Sequence, residues 1–530
     1  MAETIHPSVA QPSRQKPQVQ LSGLPVFNGR VLTIGEVPVD ELDSTDKLVH
    51  FARQLRGQFA LIIQDPRQAI AITDPFGSYP VFYVQDASPS VRVSSRALEL
   101  ANTKGTKLSA QAIYSYVALG MNVTAESFFA GVHRLPRGSV LRISGASPAE
   151  IVPYFSWESL LHLPQIEPEE AKSRFKEHAS SFLGAVAKHR PNGACSFSSG
   201  IDSALLVALM QRTGPDVMLR GYSIDYSAVF RRRYSEFRQA SEHAHALGLD
   251  LERVVVRGRD LHNALERTIS DRPDFPPDDR ALPIQFLLSQ AVARRQHTVC
   301  YTGYNADRAF GERPRCLTPT PLWCQTPTAH VPIVWADNQA VLLASVNRRR
   351  VSTMRPLLCE AGLSEQGLEA WVSEHQRQRA KQLNELEATD MLRLFQFVSE
   401  EENGLLWAGE HLPPEQAFGI NFVSPFSDAE IIKLAFALPP HWLARENETK
   451  YFLRQLVREE THLLCDKRAF PSPMRFWALT PSTLLVCRTR AMRKLCQTVW
   501  ARNVARLGRD YPLVYSFTAL AAWLEQMSLC

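Results

Sequence analysis

Apolar positions follow two different patterns along the chain. Over residues 21–155 they form short stretches separated by turn residues, which is typical of a β-rich domain. From about residue 165 onward, strand-like runs alternate with amphipathic, helix-like runs. The predicted strands are 194–197, 218–223, 253–256 and 298–302, with helices such as 236–247 and 284–295 between them. This alternation predicts a parallel, doubly wound sheet with helices on its faces.

The same patterns divide the chain into three parts. We predict a flexible tail at 1–20, a β-rich domain at 21–158 and an α/β domain at 165–530. Within the last part, residues 312–385 are rich first in Pro and then in Arg and Gln, and they match no core pattern. We interpret this segment as a flexible basic stretch. The chain beyond it is predicted to be mostly helical.

Composition narrows the class of protein. The chain is 45% apolar and 21% charged, which is typical of a folded protein. It contains neither an apolar run long enough to cross a bilayer nor an apolar signal sequence, so we expect no membrane partner. Nine cysteines without paired short spacings predict free thiols, no structural zinc and a cytoplasmic location. A net charge of +5 on 530 residues does not indicate a nucleic-acid partner.

The most informative short motif is S-S-G-I-D-S at 198–203, which directly follows the first predicted strand of the α/β domain and precedes a helix-like run. Backbone N–H groups and the helix N-terminus make such a turn a site for phosphate oxygens. The hydroxyls of Ser198 and Ser203 add donors, and Asp202 is placed to bind Mg²⁺. No Lys follows, unlike in the Walker loop. The alternative is an ordinary Ser/Gly turn.

This loop resembles the S-G-G-x-D-S loop of the ATP pyrophosphatases, with Ser199 where that family usually has Gly. Further motifs resemble, in order and spacing, those of asparagine synthetases. They are L-R-G-Q-F-A at 55–60, D-P-F-G at 74–77, P-V-F-Y at 80–83, S-S-R-A-L at 94–98, R-L-P-R-G at 134–138, Y-T-G-Y-N-A-D at 301–307, V-S-P-F-S-D at 423–428, T-K-Y-F-L-R at 449–454 and K-R-A-F at 467–470 before Pro473. The resemblance covers nearly the whole chain. It implies a glutaminase-like (Ntn-type) domain followed by an ATP-pyrophosphatase-type synthetase domain.

One departure concerns the source of the amine. Glutamine-dependent members begin with Met and then Cys, whose amine and thiol hydrolyse glutamine. Here position 2 is Ala, and the first cysteine is Cys195. Only about 56 residues precede Gly57, which is short for the full amidohydrolase sandwich. We therefore expect no use of glutamine and interpret residues 21–158 as a degenerate, structural amidotransferase-like domain.

A second departure lies at Tyr304, where asparagine synthetases carry Glu and β-lactam synthetases carry Tyr. The latter adenylate a carboxylate and close an amide within one molecule, and a Tyr–Glu pair removes the proton of the amine. The resemblance implies that Tyr304 is the base and Glu410 its partner. Arg308 is a third departure, because asparagine synthetases have a second acid beside the Asp that matches Asp307.

The resemblance implies a complete set of site residues for ATP and Mg²⁺. Asp202 and Asp307 are the expected magnesium ligands, and Lys450 and Lys467 are expected to stabilise the pyrophosphate and the oxyanion of amide closure. The remaining expected ATP and pyrophosphate contacts are Ser198, Ser199, Gly200, Ser203, Ser223, Ile224 and Gly303.

Two subfamilies fit these departures. Lasso-peptide macrolactam synthetases (lasso cyclases) join a peptide's N-terminal amine to an Asp or Glu side chain, lack the nucleophilic Cys and often have a shortened N-terminal domain. We favour the interpretation as a lasso cyclase because residues 312–385 suit a peptide better than a small substrate. This interpretation implies a precursor peptide as substrate and a leader peptidase as partner. A β-lactam synthetase acting on a small β-amino acid is the alternative that Tyr304 favours. A catalytically inactive scaffold is the third reading, against which the retained Asp202, Asp307 and lysines argue.

Overall fold

The computed structural model describes residues 17–65, 68–84, 92–101, 107–144, 148–214, 217–226, 235–270, 282–311, 333–336, 339–342, 348–386, 391–445, 448–463, 465, 487, 489–503 and 507–529. These residues form a mixed α/β protein with a β-rich N-terminal part and a parallel sheet with helices in the C-terminal part. The predicted two-part architecture is confirmed at this level.

The N-terminal part is built on antiparallel strands. Five strands pair in the order β1-β4-β5-β9-β10, three in the order β7-β6-β8, and β2 with β3. Their bounds are β1 Gln18–Gly23, β2 Val26–Phe27, β3 Arg30–Val31, β4 Phe59–Gln64, β5 Gln68–Thr73, β6 Phe82–Val84, β7 Arg92–Ser94, β8 His133–Arg134, β9 Ser139–Ser144 and β10 Glu150–Pro153. Because β1 begins at Gln18, residues 18–20 of the predicted tail are a strand, while residues 1–16 lie outside the described part.

Both faces of the five-stranded sheet are buried, which explains the short, wholly apolar runs of this region. Along β4, Phe59, Leu61 and Ile63 pack on one side, whereas Ala60 and Ile62 pack on the other. Such alternation follows from the two-residue period of a strand. Three α-helices accompany the strands, namely α1 Thr45–Gln54, α2 Ala97–Ala101 and α3 Ala110–Leu119.

The C-terminal part contains a five-stranded parallel sheet of order β13-β12-β11-β14-β17. The strands of this part are β11 Asn192–Ser196, β12 Met218–Tyr226, β13 Asp250–Val256, β14 Val299–Tyr301, β15 Ile333–Ala336, β16 Gln339–Leu342, β17 Asn421–Val423, β18 Ala444–Arg445 and β19 Glu448–Thr449. The four predicted strands are thus confirmed as neighbours in one parallel sheet. The fifth, β17, was not predicted, because it is short and lies in the region that was predicted to be mostly helical, directly after the long helix-like run that ends at Phe418.

Helices cover both faces of the parallel sheet. Cys195, Tyr301 and Val423 face one side, while their neighbours Ala194 and Cys300 face the other. The helices are α4 Pro168–His189, α5 Ile201–Gln211, α6 Phe237–Ala246, α7 Gly258–Ser270, α8 Leu282–Arg294, α9 Ala306–Ala309, α10 Arg348–Glu360, α11 Glu365–Glu385, α12 Met391–Phe418, α13 Ala429–Ala437, α14 Pro440–Leu443, α15 Tyr451–Thr461, α16 Arg490–Asn503 and α17 Leu507–Leu529. Burial of both strand faces is typical of a doubly wound sheet.

The flexible basic segment predicted at 312–385 is wrong for its last part. Residues 348–360 and 365–385 are α10 and α11, and both contact α3 of the N-terminal part. The guanidinium of Arg350 is buried and donates to the carbonyls of Val117 (2.9 Å) and Tyr116 (3.0 Å) near the end of α3. There it satisfies the Val117 carbonyl in the last turn of the helix, shares the Tyr116 carbonyl with the N–H of Gly120, and interacts favourably with the helix dipole. Residues 312–332, 337–338 and 343–347 lie outside the described part.

Polar contacts fix the N-terminal part against the end of β17. Nη2 of Arg56 lies 2.8 Å from Oδ1 of Asp428, whose side chain is fully buried. The Gln58 amide donates to the Ser424 carbonyl at 3.0 Å and accepts the Ser424 N–H at 3.1 Å. Arg56 and Gln58 of the L-R-G-Q-F-A motif therefore hold the segment that follows β17, and this segment borders the candidate site.

Candidate active site

The candidate site begins at the loop that joins β11 to α5. The hydroxyl of Ser203 lies within 3.2 Å of the Ser198 N–H and hydroxyl, and the Gly200 N–H donates to the Ser198 hydroxyl at 3.1 Å. Gly200 is the N-cap of α5 and has no side chain with which to cap the helix. The first N–H groups of α5 therefore remain available to an anion. This arrangement has the features of a phosphate-binding loop.

Gly303 brings a second strand end against this loop. A Cβ atom built on Gly303 would lie 2.7 Å from Cβ of Asp202, closer than side chains approach one another. Only glycine therefore permits the turn after β14 to lie against the start of α5. The contact explains why a Thr-Gly pair stands at the end of this strand, and it sets the position of Asp307 relative to Asp202.

Lys450 joins the two acidic residues of the site. Its Nζ lies 2.5 Å from Oδ2 of Asp202 and 2.6 Å from Oδ1 of Asp307. The side chain is 2% exposed, and the backbone has a left-handed φ of 55° at the N-cap of α15. Burial acts to lower the pKa of Lys450, but the two carboxylates outweigh it and the pKa is raised. The ammonium is therefore charged at any physiological pH.

Asp202 and Asp307 are suited to hold one divalent cation. Their carboxylates converge on a single ammonium and retain exposed side-chain surface, 22% and 44% respectively. Among the described residues, no group of three His, Cys, Asp or Glu side chains could enclose a metal ion. Two carboxylates completed by phosphate oxygens and water are the usual set for Mg²⁺ in nucleotide sites. The donor set therefore fits a magnesium bound together with ATP rather than a permanent metal.

Tyr304 follows Gly303 and packs against α12. Its half-buried ring meets Trp407 at 5.1 Å and His411 at 5.0 Å between centroids, both edge to face. Its carbonyl accepts the Ser424 hydroxyl at 2.7 Å. Since Trp407 and His411 flank Glu410 on α12, the half-buried Glu410 lies in the helical turn beside Tyr304. The pairing of Tyr304 with Glu410 stays a prediction.

Two predicted ATP contacts do not lie at the strand end where the sequence placed them, and a third predicted site residue is not described by the structure. Ser223 and Ile224 were expected at the end of their strand, but β12 continues to Tyr226, so both lie inside it. Ser223 is 4% exposed, and Ile224 is half-buried against two apolar clusters. Lys467 lies outside the described residues. Its expected role stays a prediction.

The structure adds residues that the motifs did not single out as functional. The Ser199 hydroxyl donates to Oε2 of Glu236 at 3.2 Å, which places a second carboxylate at the phosphate loop. His411 is 2% exposed and stacks on Trp407 at 4.1 Å. Glu236 begins the predicted helix 236–247, but neither it nor His411 belongs to one of the motifs.

Glu400 is a further buried acid close to the turn at 303–308. Burial raises the pKa of its carboxyl to about 8, although Arg137 and Arg308 act to lower it. The backbone around it is held by arginines, since Arg308 donates to the Ser399 carbonyl at 3.0 Å and Arg137 to the Glu400 carbonyl at 2.8 Å. Arg308, the unusual residue beside Asp307, therefore ties the site to α12.

Two family comparisons match the chain. The model described as asparagine synthase matches residues 184–498, more than half of the chain, and the model described as a glutamine amidotransferase domain matches residues 46–155. No curated protein matches it. In the described part of the chain, no helix is both long and apolar enough to span a membrane.

Proposed function

Because this chain belongs to the asparagine synthase family and is thereby an ATP-dependent amide ligase, we propose that it closes a macrolactam in a precursor peptide. An Asp or Glu side chain of the peptide is adenylated, and the peptide's own N-terminal amine then displaces AMP. This is the reaction of the lasso cyclases, which fit the departures of this chain from the asparagine synthetase motifs. Its requirements are ATP, Mg²⁺ and one peptide that carries both reacting groups.

The observation that carries this proposal is the combination of a thiol-free amidotransferase-like region with a retained nucleotide site. Residues 46–155 match the amidotransferase model yet contain no cysteine, so they offer no thiol to release ammonia from glutamine. The loop at 198–203, Asp202, Asp307 and Lys450 remain together. An enzyme that activates a carboxylate without releasing ammonia from glutamine must obtain its amine elsewhere, and an amine carried by the substrate itself is the source that we propose.

In the first step, a carboxylate oxygen of the peptide attacks the α-phosphorus of ATP, and pyrophosphate leaves. The N–H groups at the start of α5 and the hydroxyls of Ser198 and Ser203 are the groups that we propose bind the phosphate oxygens. Lys450 adds a positive charge at the same rim of the sheet. Asp202 and Asp307 would hold a magnesium ion, which would supply positive charge against the departing pyrophosphate.

In the second step, the peptide's amine attacks the acyl adenylate, the amide C–N bond forms, and AMP leaves. The amine must lose a proton as it attacks, and Tyr304 is the group proposed to take it, with Glu410 in the adjacent turn of α12 as its partner. Lys467 is proposed to stabilise the developing oxyanion. The net change is one amide formed and one ATP converted to AMP and pyrophosphate.

One observation favours a second candidate. A Tyr at position 304 is the residue that β-lactam synthetases carry there, and its ring is held in place by Trp407 and His411. Under that reading the substrate is a small β-amino acid rather than a peptide. The two candidates share the adenylation step and differ only in the acceptor, so the choice of substrate separates them.

The experiment combines the full-length chain with Mg-ATP, a leader-bearing precursor peptide and the leader peptidase that we propose as its partner. We expect a core peptide that has lost one water, with one AMP formed for each ring closed, as measured by mass spectrometry and nucleotide chromatography. A matched peptide whose acceptor Asp is replaced by Asn should give neither product. AMP formed with a small β-amino acid but with no peptide would transfer the assignment to β-lactam formation.

A further inference from the structure

A cavity of about 560 Å³ lies between the N-terminal part and two helices of the C-terminal part. Its walls are the turn between β5 and β6, the end of α3 with the loop to residue 128, residues 134–137, and facing stretches of α11 and α12. A volume of this size is typical of sites for small ligands. None of the motifs for ATP or for amide closure lies in its lining, apart from the neighbouring turn of α12.

Most of the cavity wall is apolar. Phe76, Phe82, Phe128, Val398 and Leu405 contribute side chains to it. On the α12 side the cavity is lined by Gly404, Ala408 and Gly409, which leave space because each has little or no side chain. An apolar wall of this kind favours a ligand with an apolar body, since such a ligand is transferred out of water on binding.

Two arginines give this apolar wall a positive charge. Arg134 and Arg137 are surrounded by protein, and both line the cavity while retaining accessible surface. Burial lowers the pKa of each guanidinium to about 10, and the charge of Arg137 contributes to the shift of Arg134. Within the described part of the chain, no carboxylate pairs with Arg134, whose recorded hydrogen bond is to the Thr124 carbonyl at 3.5 Å.

The acidic residues of the wall already have partners. Glu126 accepts hydrogen bonds from the Ser109 hydroxyl and, at 2.7 Å, from the Gly131 N–H. Glu401 forms an ion pair with Arg379. Arg137 donates to the Glu400 carbonyl and covers the ring of Trp157 at 3.9 Å. Arg134 is therefore the cation of the wall whose charge is least compensated, and a carboxylate is the ligand group that a guanidinium binds best.

We propose that this cavity binds the C-terminal end of the substrate peptide, with apolar residues in its body and the terminal carboxylate at Arg134. This inference rests on the proposed function and names the part of the substrate that the cavity holds. The same turn of α12 that lines the cavity through Ala408 and Gly409 carries Trp407, which contacts Tyr304. A peptide held here by its tail would thus be anchored one helix away from the point of ring closure, which lowers the entropic cost of bringing its reacting groups to the site.

The test measures binding without catalysis. Acetyl-Phe-Leu with a free carboxylate and the same dipeptide as its amide are titrated into the full-length protein by calorimetry. We expect the carboxylate to bind roughly tenfold or more tightly than the amide, as for a charge-assisted hydrogen bond. Arg134→Gln should bring both ligands to the affinity of the amide. Arg30→Gln, which changes an arginine that is 73% exposed, should leave the preference intact.

Equal affinity of the wild-type protein for acid and amide would overturn the inference without any variant, so a failure of Arg134→Gln to fold does not protect it. Retention of the preference by a folded Arg134→Gln protein would overturn it as well. The proposed function fails separately. If the carboxylate preference depends on Arg134 but no peptide yields AMP, the cavity remains a carboxylate site and the macrolactam assignment is wrong. If rings close equally well in peptides with free and amidated C-termini, the macrolactam assignment holds and the role of the cavity is wrong.

Discussion

The ammonium of Lys450 lies 2.5 Å from Oδ2 of Asp202, although the two residues are 248 positions apart in the chain. Asp307 completes the cluster from a third element at 2.6 Å. One buried positive charge thus holds together two carboxylates that would otherwise repel each other at the rim of the sheet. This relationship makes Lys450 both a structural link and a charge that pyrophosphate would meet.

Replacing Lys450 by Gln should therefore abolish most of the adenylation activity. We expect pyrophosphate release to fall by roughly 100-fold or more, because the lost charge faces the phosphates and the two aspartates are no longer held in register. Lys450→Arg is the matched control, and it should retain more activity because it keeps the charge. Thermal unfolding of both variants would be measured alongside. Activity of Lys450→Gln within a few-fold of wild type would show that this charge does not act on the phosphates.

Gly303→Ala tests the close approach of two strand ends. The added methyl would lie 2.7 Å from Cβ of Asp202, so the phosphate loop must shift. Overpacking of this kind costs about 1–3 kcal/mol, and we expect KM for ATP to rise about tenfold or more. Gly35→Ala is the control, since a Cβ there meets no heavy atom within 4 Å. Steady-state kinetics of pyrophosphate release would compare the two, and equal KM values would argue against a contact between this turn and the nucleotide loop.

Tyr304→Phe separates the two chemical steps. The phenyl ring keeps the packing against Trp407 and His411 but removes the hydroxyl that we assign as base. Amide closure should slow by about 10²–10⁴, as for loss of a general base, while pyrophosphate release continues and acyl adenylate accumulates. Rapid-quench analysis of the adenylate and of the cyclised product would measure both steps. Unchanged ring closure in the Phe variant would move the role of base to another group.

Glu410→Gln examines the partner of Tyr304 in the same assay. If Glu410 raises the basicity of Tyr304, the variant should slow closure and move the pH dependence of closure to lower pH, because a less basic Tyr304 loses its proton at lower pH, whereas pyrophosphate release should stay unchanged. Glu374→Gln, an exposed substitution on α11, is a suitable control because its carboxylate pairs only with side chains of its own helix. A pH profile identical to that of the wild type would remove Glu410 from the mechanism.

Sequence patterns predicted the sheet well and the site in part. The alternation of apolar positions in the runs around Cys195 and Cys300 reflects local geometry, and those strands were found where the pattern placed them. The short strand β17 was missed because it lies in the region that was predicted to be mostly helical, directly after the long helix that ends at Phe418. The helices at 348–385 were missed because they are held by residues that are distant in the sequence. Arg350, for example, donates to carbonyls at the end of α3.

Long-range packing accounts for the rest of the difference. A motif indicates that Lys450 is functional, but only the fold shows that a left-handed residue at the start of α15 delivers its ammonium between Asp202 and Asp307. The cavity wall at Arg134 likewise depends on elements from both halves of the chain. Neither relationship has a local signature, so no periodicity or spacing could have predicted it.

A last prediction concerns the buried hydrogen bonds that join Tyr79 of the N-terminal part to α12. The Tyr79 hydroxyl donates to Oε1 of Glu415 at 2.8 Å, and the Phe422 N–H donates to the same oxygen at 2.7 Å. Burial raises the pKa of Glu415 from its ordinary value of 4.5 to about 8, with the two hydrogen bonds acting in the opposite direction. At neutral pH the folded state therefore holds a proton that the unfolded chain has already released.

The sign of the pH effect follows from that raised pKa. The contribution of Glu415 to stability is fully present below its unfolded pKa near 4.5 and is lost as the pH rises through about 8. Between these values, this group alone lowers the free energy of unfolding by about 1.4 kcal/mol for each pH unit. Glu415→Gln keeps an oxygen acceptor for Tyr79 and Phe422 but cannot ionise, so its denaturation curves should show a pH dependence that is weaker by up to one proton. Glu448→Gln, at a half-exposed side chain, should leave the wild-type slope unchanged. Equal slopes for Glu415→Gln and the wild type would mean that Glu415 is ionised in the folded protein and that this junction does not respond to pH.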